Sequence, residues 1–346
     1  MPNKHVIFLV HGMGDFEASW SEPAQTTIRN QYGAYAQLSF LPFEQRFEFQ
    51  ELFYNDEFEA LRKMWRKSSA ALGTALKATG IAAPMVASLN ELAQLTDKKS
   101  FMNTHVLDVL LYRFARQTAS TIRESLRVQI LKKLTSLDQA EPIRWSIVAH
   151  SLGTSVIHDT LHEMYSDTPT KVGEKLSGFT RPDVVAMIAN VSRVLEEDID
   201  VYESRVRPGN PDDPSAACKY YLNAKHFLDP IPQAKAFQPA LHWPSIGVRN
   251  RGLLLDIGIR EIEQLNVHDF DHYLRNPRVH CHLFNCLLDR EAIDAAAINT
   301  AQAQFAAHTP LDDFGGLVKK LKPFQLGEED LLEKVMATWS KFLDLF

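Results

Sequence analysis

The stretch IVAHSLGT, residues 147–154, places Ser151 between two small residues, Ala149 and Gly153. A serine hydroxyl is a weak nucleophile at neutral pH unless a neighbouring base takes its proton. A chain that uses Ser151 this way must also supply that base, a carboxylate to orient it and N–H donors for a developing oxyanion. The local pattern suits such a role. Where a strand reverses sharply into a helix, the residues two positions either side of the turn come together, and only small side chains fit. Ala149 departs from the usual glycine by one methyl group. Leu152, Val156 and Thr160 make one apolar stripe after the turn, with Ile157 and Leu161 beside it, so a helix follows. Its N-terminus aims backbone N–H groups and positive dipole at Ser151, which makes the Leu152 N–H the expected first oxyanion donor. A five-residue match also fits a serine at an ordinary tight turn, so the rest of the chain decides.

A second element is HGMG, residues 11–14, directly after the apolar run HVIFLV. Glycines there let the backbone bend and turn an N–H into a pocket, and Met13 is the expected second donor. Gly12-Met13-Gly14 after a strand also resembles the start of a dinucleotide fingerprint, but that motif needs a small third residue where this chain has Glu17. No phosphate-binding P-loop pattern is present, and no nucleotide cofactor is expected.

The acid and base should follow the serine along the chain in that order. Asp229 stands in NAKHFLDPIP, at the expected carboxyl end of a strand and before a proline turn. It could equally just open that turn. The stretch NVHDFDHYLRNPRVHCHLF offers His272 as the base, with His268 as the alternative. His280 and His282 fall in an expected helix on differing faces, and a packed core histidine is the plain alternative for His272. The HDFDH and HCH runs hold zinc-type ligands without the helical i, i+4 spacing such sites favour, so no metal is expected. His150 lies beside Ser151 and should point to the other side. His158 is roughly 10 Å further along the helix, and neither reaches the hydroxyl.

These residues need a scaffold. Apolar runs bounded by turn residues predict buried parallel strands at 5–10, 36–41, 146–150, 184–189 and 219–224, with another inside 253–265. Helical patterns lie between them; Ile122, Leu126, Ile130 and Leu134, for instance, recur every fourth residue. Alternating strands and helices imply an α/β fold, a mostly parallel sheet covered on both faces. One domain over 1–346 is expected, with two insertions. Residues 51–100 start as a charged helix and turn alanine-rich around Lys77 and Pro84. They read either as a helical hairpin packed on the core or as a mobile lid able to touch a membrane surface. Residues 195–217 contain RPGNPDDPS, a long loop. Phe43, Phe47, Phe49 and Phe53 fit an acyl pocket or core packing equally well.

Composition narrows the partners. A net charge of −6 supplies no electrostatic reason for nucleic acid binding. Three cysteines, Cys218, Cys281 and Cys286, have no metal or disulfide spacing, which suits reduced, buried thiols. The first apolar run is too short for a signal-peptide core, and no stretch has about 18 uninterrupted apolar residues for a membrane span. A cytoplasmic location is the default expectation, and oligomeric state is not readable.

Taken together, VHGMGD, AHSLGT, NAKHFLDPIP and HDFDHYLRNP resemble the α/β-hydrolase superfamily, in its serine esterase and lipase branch, and span residues 6 to 277 in the family's order. The resemblance implies an α/β-hydrolase fold with a helical insertion or lid, a nucleophile at Ser151, an acid at Asp229, a base at His272 and an oxyanion site at Met13 and Leu152. It implies hydrolysis of a carboxylic ester, small-molecule or lipid, with no cofactor and no metal. Acyl transfer, thioester or amide cleavage by the same residues, and a silent hydrolase-like module that binds lipid or protein, are the competing expectations.

Overall fold

A computed structural model describes residues 3–12, 17–56, 116–166, 181–196, 200–210, 213, 216–227, 229, 232, 235–243, 252–263 and 267–308. Six strands form one all-parallel sheet: β1 (His5–Val10), β2 (Phe47–Leu52), β3 (Trp145–His150), β4 (Val184–Ile188), β5 (Tyr220–His226) and β6 (Leu254–Ile259). Their order is β2-β1-β3-β4-β5-β6. The central strands β1, β3 and β4 are buried at every position, as a sheet covered on both faces requires.

The helices divide between the two faces. Helices α1 (Glu22–Gly33), α4 (Phe270–Arg275), α5 (Pro277–Leu288) and α6 (Ala295–His308) accompany one core; α2 (Arg116–Thr135) and α3 (Leu152–Tyr165) accompany the other. Side chains alternate across β1, so Val6, Phe8 and Val10 join Ile122, Leu126, Ile130 and Leu134 of α2, while Ile7 and Leu9 join Ile28 and Tyr32 of α1. Among the described residues, no helix is long and apolar enough to cross a membrane.

The strand order reverses at β1. From β1 the chain runs through α1 to β2 on one side; from β3 it runs through α3 to β4 on the other. In open α/β sheets, ligands are held beyond the carboxyl ends of the strands at such a reversal.

Not every sequence expectation holds. Residues 36–41 do not form a strand: Ala36–Ser39 is a single helical turn, and the second strand is FEFQEL, Phe47–Leu52. In the apolar run only Leu38 is buried, and Phe40 is two-thirds exposed at 66%. Phe43 and Phe47 belong to the core with Tyr32, whereas Phe53 lies 5.8 Å from the His11 ring. The 195–217 loop has no helix or strand among its described residues, yet Val201, Tyr202 and Val206 are buried in the core beside α3. The expected helical insertion does not begin at residue 51, since Glu51 and Leu52 end β2; residues 57–100 of it lie outside the described residues. The three cysteines are free and buried.

Candidate active site

Ser151 joins β3 to α3 with φ 51° and ψ −127°, a backbone that non-glycine residues hold only at a cost of about 1–3 kcal/mol. Its neighbours enforce that conformation. The Ser151 N–H donates to the Ile188 carbonyl at 3.0 Å, and the Ser151 carbonyl accepts from the Thr154 N–H at 2.8 Å. The Thr154 hydroxyl donates to the same carbonyl at 2.6 Å. That hydroxyl accepts the Val191 N–H at 3.0 Å, tying the turn to the end of β4.

Small residues make the turn possible. A Cβ on Gly153 would stand 2.2 Å from the His11 carbonyl oxygen, and one on Gly12 would stand 2.8 Å from the Ser151 Cβ. The start of α3 and the end of β1 are thus in backbone contact. Serine at a helix N-cap normally turns its hydroxyl onto the first-turn N–H groups. Here the Ser151 side chain makes no capping bond, and its Oγ faces outward from the helix.

What it faces is His268. The Ser151 hydroxyl donates to His268 Nε2 at 2.8 Å, and His268 Nδ1–H donates to Asp229 Oδ2 at 2.7 Å. The carboxylate fixes the tautomer: Nδ1 holds the proton and Nε2 is left as an acceptor. All three side chains are buried. Asp229 lies beyond the end of β5 and His268 beyond the end of β6, so three strand ends converge on the hydroxyl. Tyr273 on α4 donates its hydroxyl to the same Asp229 oxygen at 2.9 Å while accepting the His226 N–H at 2.9 Å. Burial holds that phenol well above its usual pKa, so it remains a donor.

His272, the histidine expected to meet Ser151 as the base, does not meet it; His268, the alternative, does. His272 lies inside α4, near the His226 ring at 5.4 Å, and contacts neither Ser151 nor Asp229 by hydrogen bond. Neither of its ring nitrogens has a hydrogen-bond partner among the described residues. Burial, reinforced by His226, lowers its pKa to about 4. The reason lies in the start of α4. Asp269 is its N-cap, accepting from the Asp271 and His272 N–H groups, so His268 stays on the preceding loop while His272 is carried into the core. An aspartate two residues ahead of Asp271 in HDFDH is the sequence signal that separates the two histidines.

The loop after β1 is braced from β2. Tyr54 stacks on the His11 ring with centroids 4.0 Å apart, and its hydroxyl donates to the His11 carbonyl at 2.6 Å. His11 Nδ1–H donates to the Gly12 carbonyl at 2.9 Å, which leaves Nε2 to accept the Tyr54 N–H at 3.4 Å. Leu152 is the first residue of α3, where N–H groups lack intrahelical acceptors. Met13, the other expected donor, lies outside the described residues.

His150 does not bond the Ser151 hydroxyl, but it is no bystander. Its Nε2–H donates to the His268 carbonyl at 2.7 Å, and its ring stacks on Phe270. His158 instead bonds the Ser204 hydroxyl at 2.8 Å, holding the 200–210 segment to α3. Among the described residues no group of three or more His, Cys, Asp or Glu side chains is arranged to hold a metal.

Comparison with protein-family models, with curated proteins and with solved structures gives no match to this chain. The arrangement of a hydroxyl, an imidazole and a carboxylate must therefore be interpreted by its chemistry. A proton can pass from Ser151 Oγ to His268 Nε2 as the oxygen attacks an electrophile, and Asp229 can stabilise the resulting imidazolium.

Proposed function

We propose that this protein is a serine hydrolase with an α/β-hydrolase fold that cleaves a carboxylic ester through Ser151, His268 and Asp229. One observation carries the proposal: the Ser151–His268–Asp229 hydrogen-bond chain, at 2.8 and 2.7 Å, is anchored on a strained strand-to-helix turn. A serine in an ordinary tight turn would have no reason to face away from its own helix. It would also have no reason to meet a histidine that a buried carboxylate holds in the acceptor tautomer.

In the reaction Ser151 Oγ attacks the ester carbonyl carbon while His268 Nε2 takes its proton. The carbonyl oxygen becomes an oxyanion facing the Leu152 N–H, with Met13 as the second donor expected from the sequence. Collapse of the tetrahedral intermediate breaks the bond to the alkoxy oxygen, which leaves as an alcohol with the proton from His268. Water, deprotonated by His268, then attacks the acyl-serine carbonyl, and the acid departs as Ser151 Oγ regains its proton. Every step uses groups of the chain and water.

The test is covalent labelling with a fluorophosphonate, together with turnover of p-nitrophenyl esters of graded acyl length. The wild-type chain should be labelled and Ser151→Ala should not. Equal labelling of the two overturns the proposal.

A further inference from the structure

We propose that His150 is a positioning residue that locks the base-bearing loop to the nucleophile's strand, an inference that rests on the hydrolase reading of the same site. Ser151 and His268 come from elements 117 positions apart, and their hydroxyl-to-imidazole distance of 2.8 Å must be held by something other than the chain between them. Asp229 orients the far side of the imidazole, and Asp269 anchors the start of α4. The backbone of His268 itself is gripped by His150, whose Nε2 lies 2.7 Å from its carbonyl oxygen. A carbonyl can only accept, so Nε2 of His150 carries the proton.

The ring of His150 makes a second hold. It stacks on Phe270 with centroids 5.0 Å apart and planes 18° from parallel, and lies 5.0 Å from the His268 ring. The contacts therefore fall on residues 268 and 270, on both sides of the helix cap at Asp269. The opposite edge faces the loop after β1: a Cβ on Gly12 would stand 3.1 Å from His150 Nδ1. His150 is thus wedged between the β1 loop and the base loop, on the residue adjoining the nucleophile. A purely space-filling side chain at that position would not need a nitrogen aimed at the carbonyl of the base.

The experiment compares the full-length wild type with His150→Phe, which keeps a flat ring but loses the donor, and His150→Gln, which restores an N–H donor without the ring. Three readouts are taken: kcat and KM on a p-nitrophenyl ester, thermal unfolding, and the proton NMR resonance of the hydrogen between His268 Nδ1 and Asp229. That resonance is assigned by its disappearance in His268→Gln. Misplacing a catalytic group by about 1 Å costs about 100-fold, so His150→Phe should lower kcat by about that factor with KM nearly unchanged. Its downfield resonance should broaden by exchange with water. His150→Gln should recover about tenfold of the lost rate, the part owed to the donor. Wild-type kcat with a sharp resonance in His150→Phe overturns the proposal, as does a His150→Gln variant no faster than His150→Phe. If His150→Phe does not fold, Phe270→Leu, which removes the stacking alone, should broaden the same resonance; an unchanged line there overturns the proposal. The resonance also separates this inference from the hydrolase reading. A wild type without ester turnover, whose resonance still broadens in His150→Phe, removes the activity and keeps the positioning role.

Discussion

His268 Nε2 lies 2.8 Å from the Ser151 hydroxyl oxygen, while His272, four residues later, bonds neither Ser151 nor Asp229. The difference comes from a single N-cap. Asp269 begins α4 by accepting two first-turn N–H groups, which leaves His268 on a loop at the carboxyl end of the sheet and turns His272 into the core. Loops held at strand ends by a rigid sheet are where reactive side chains can be exposed to a ligand without losing their position.

Exchange of the two histidines should separate these roles. His268→Ala is expected to lower kcat by about a million-fold, to the residual rate that binding and oxyanion donors alone supply. His272→Leu should retain kcat within about threefold, because its ring bonds no member of the site. Steady-state kinetics on one ester for both variants decides it. Loss of activity in His272→Leu with a native unfolding curve would contradict the assignment.

Tyr273 is expected to support the carboxylate rather than the reacting atoms. Its hydroxyl donates to Asp229 and accepts from the His226 N–H. Tyr273→Phe removes both bonds, at a cost of about 1–3 kcal/mol. Urea denaturation should show that loss, and kcat should fall by about tenfold as Asp229 loses a restraint. Stability equal to wild type would show that neither bond contributes.

Much of this site was legible from local chemistry. HVIFLV and SIVAH announced central strands because a sheet covered on both faces buries every position. Ala149 and Gly153 announced a tight turn because nothing larger fits. The second strand was misplaced because the apolar run AQLSFL precedes Pro42, while FEFQEL carries its signal as alternation of Phe47 and Phe49 with charge. His272 stands ahead of His268 as the expected partner of Ser151 because four residues separate the two candidates and only the Asp269 cap shows where the helix starts. The bond of His150 joins residues 118 positions apart and has no local signature at all.

Two glycines should respond oppositely to alanine. At Gly153 a methyl group would meet the His11 carbonyl at 2.2 Å, so α3 must shift off β1 and take Ser151 with it. Gly153→Ala should cost about 1–3 kcal/mol and lower kcat. At Gly33, the last residue of α1, a methyl group meets nothing within 4 Å. Gly33→Ala should be neutral or raise stability by up to about 1 kcal/mol. Thermal unfolding of both variants checks the contrast, and a destabilised Gly33→Ala beside a native Gly153→Ala would refute the packing described for α3.

Acid stability should be governed by three buried histidines. Burial lowers the pKa of His5 to about 3 and those of His272 and His280 to about 4, from an ordinary 6.5. His280 is built to be neutral: its Nδ1–H donates to the Leu274 carbonyl at 3.0 Å and its Nε2 accepts from the Tyr35 hydroxyl at 2.8 Å. Below pH 6.5 the unfolded chain binds protons that the folded chain refuses, so the unfolded state is favoured as pH falls. The stabilisation these groups give is therefore complete above pH 6.5 and is lost on descent to about 4 for His272 and His280, and to about 3 for His5. Each group adds a slope of up to about 1.4 kcal/mol per pH unit within its window. His272→Leu removes one of the three and buries no unpaired nitrogen, so its stability should fall less steeply between pH 6.5 and 4. Urea midpoints at pH 7.5, 5.5 and 4.5 measure this, and parallel pH profiles for wild type and His272→Leu would show that His272 ionises as readily in the folded chain as in the unfolded one.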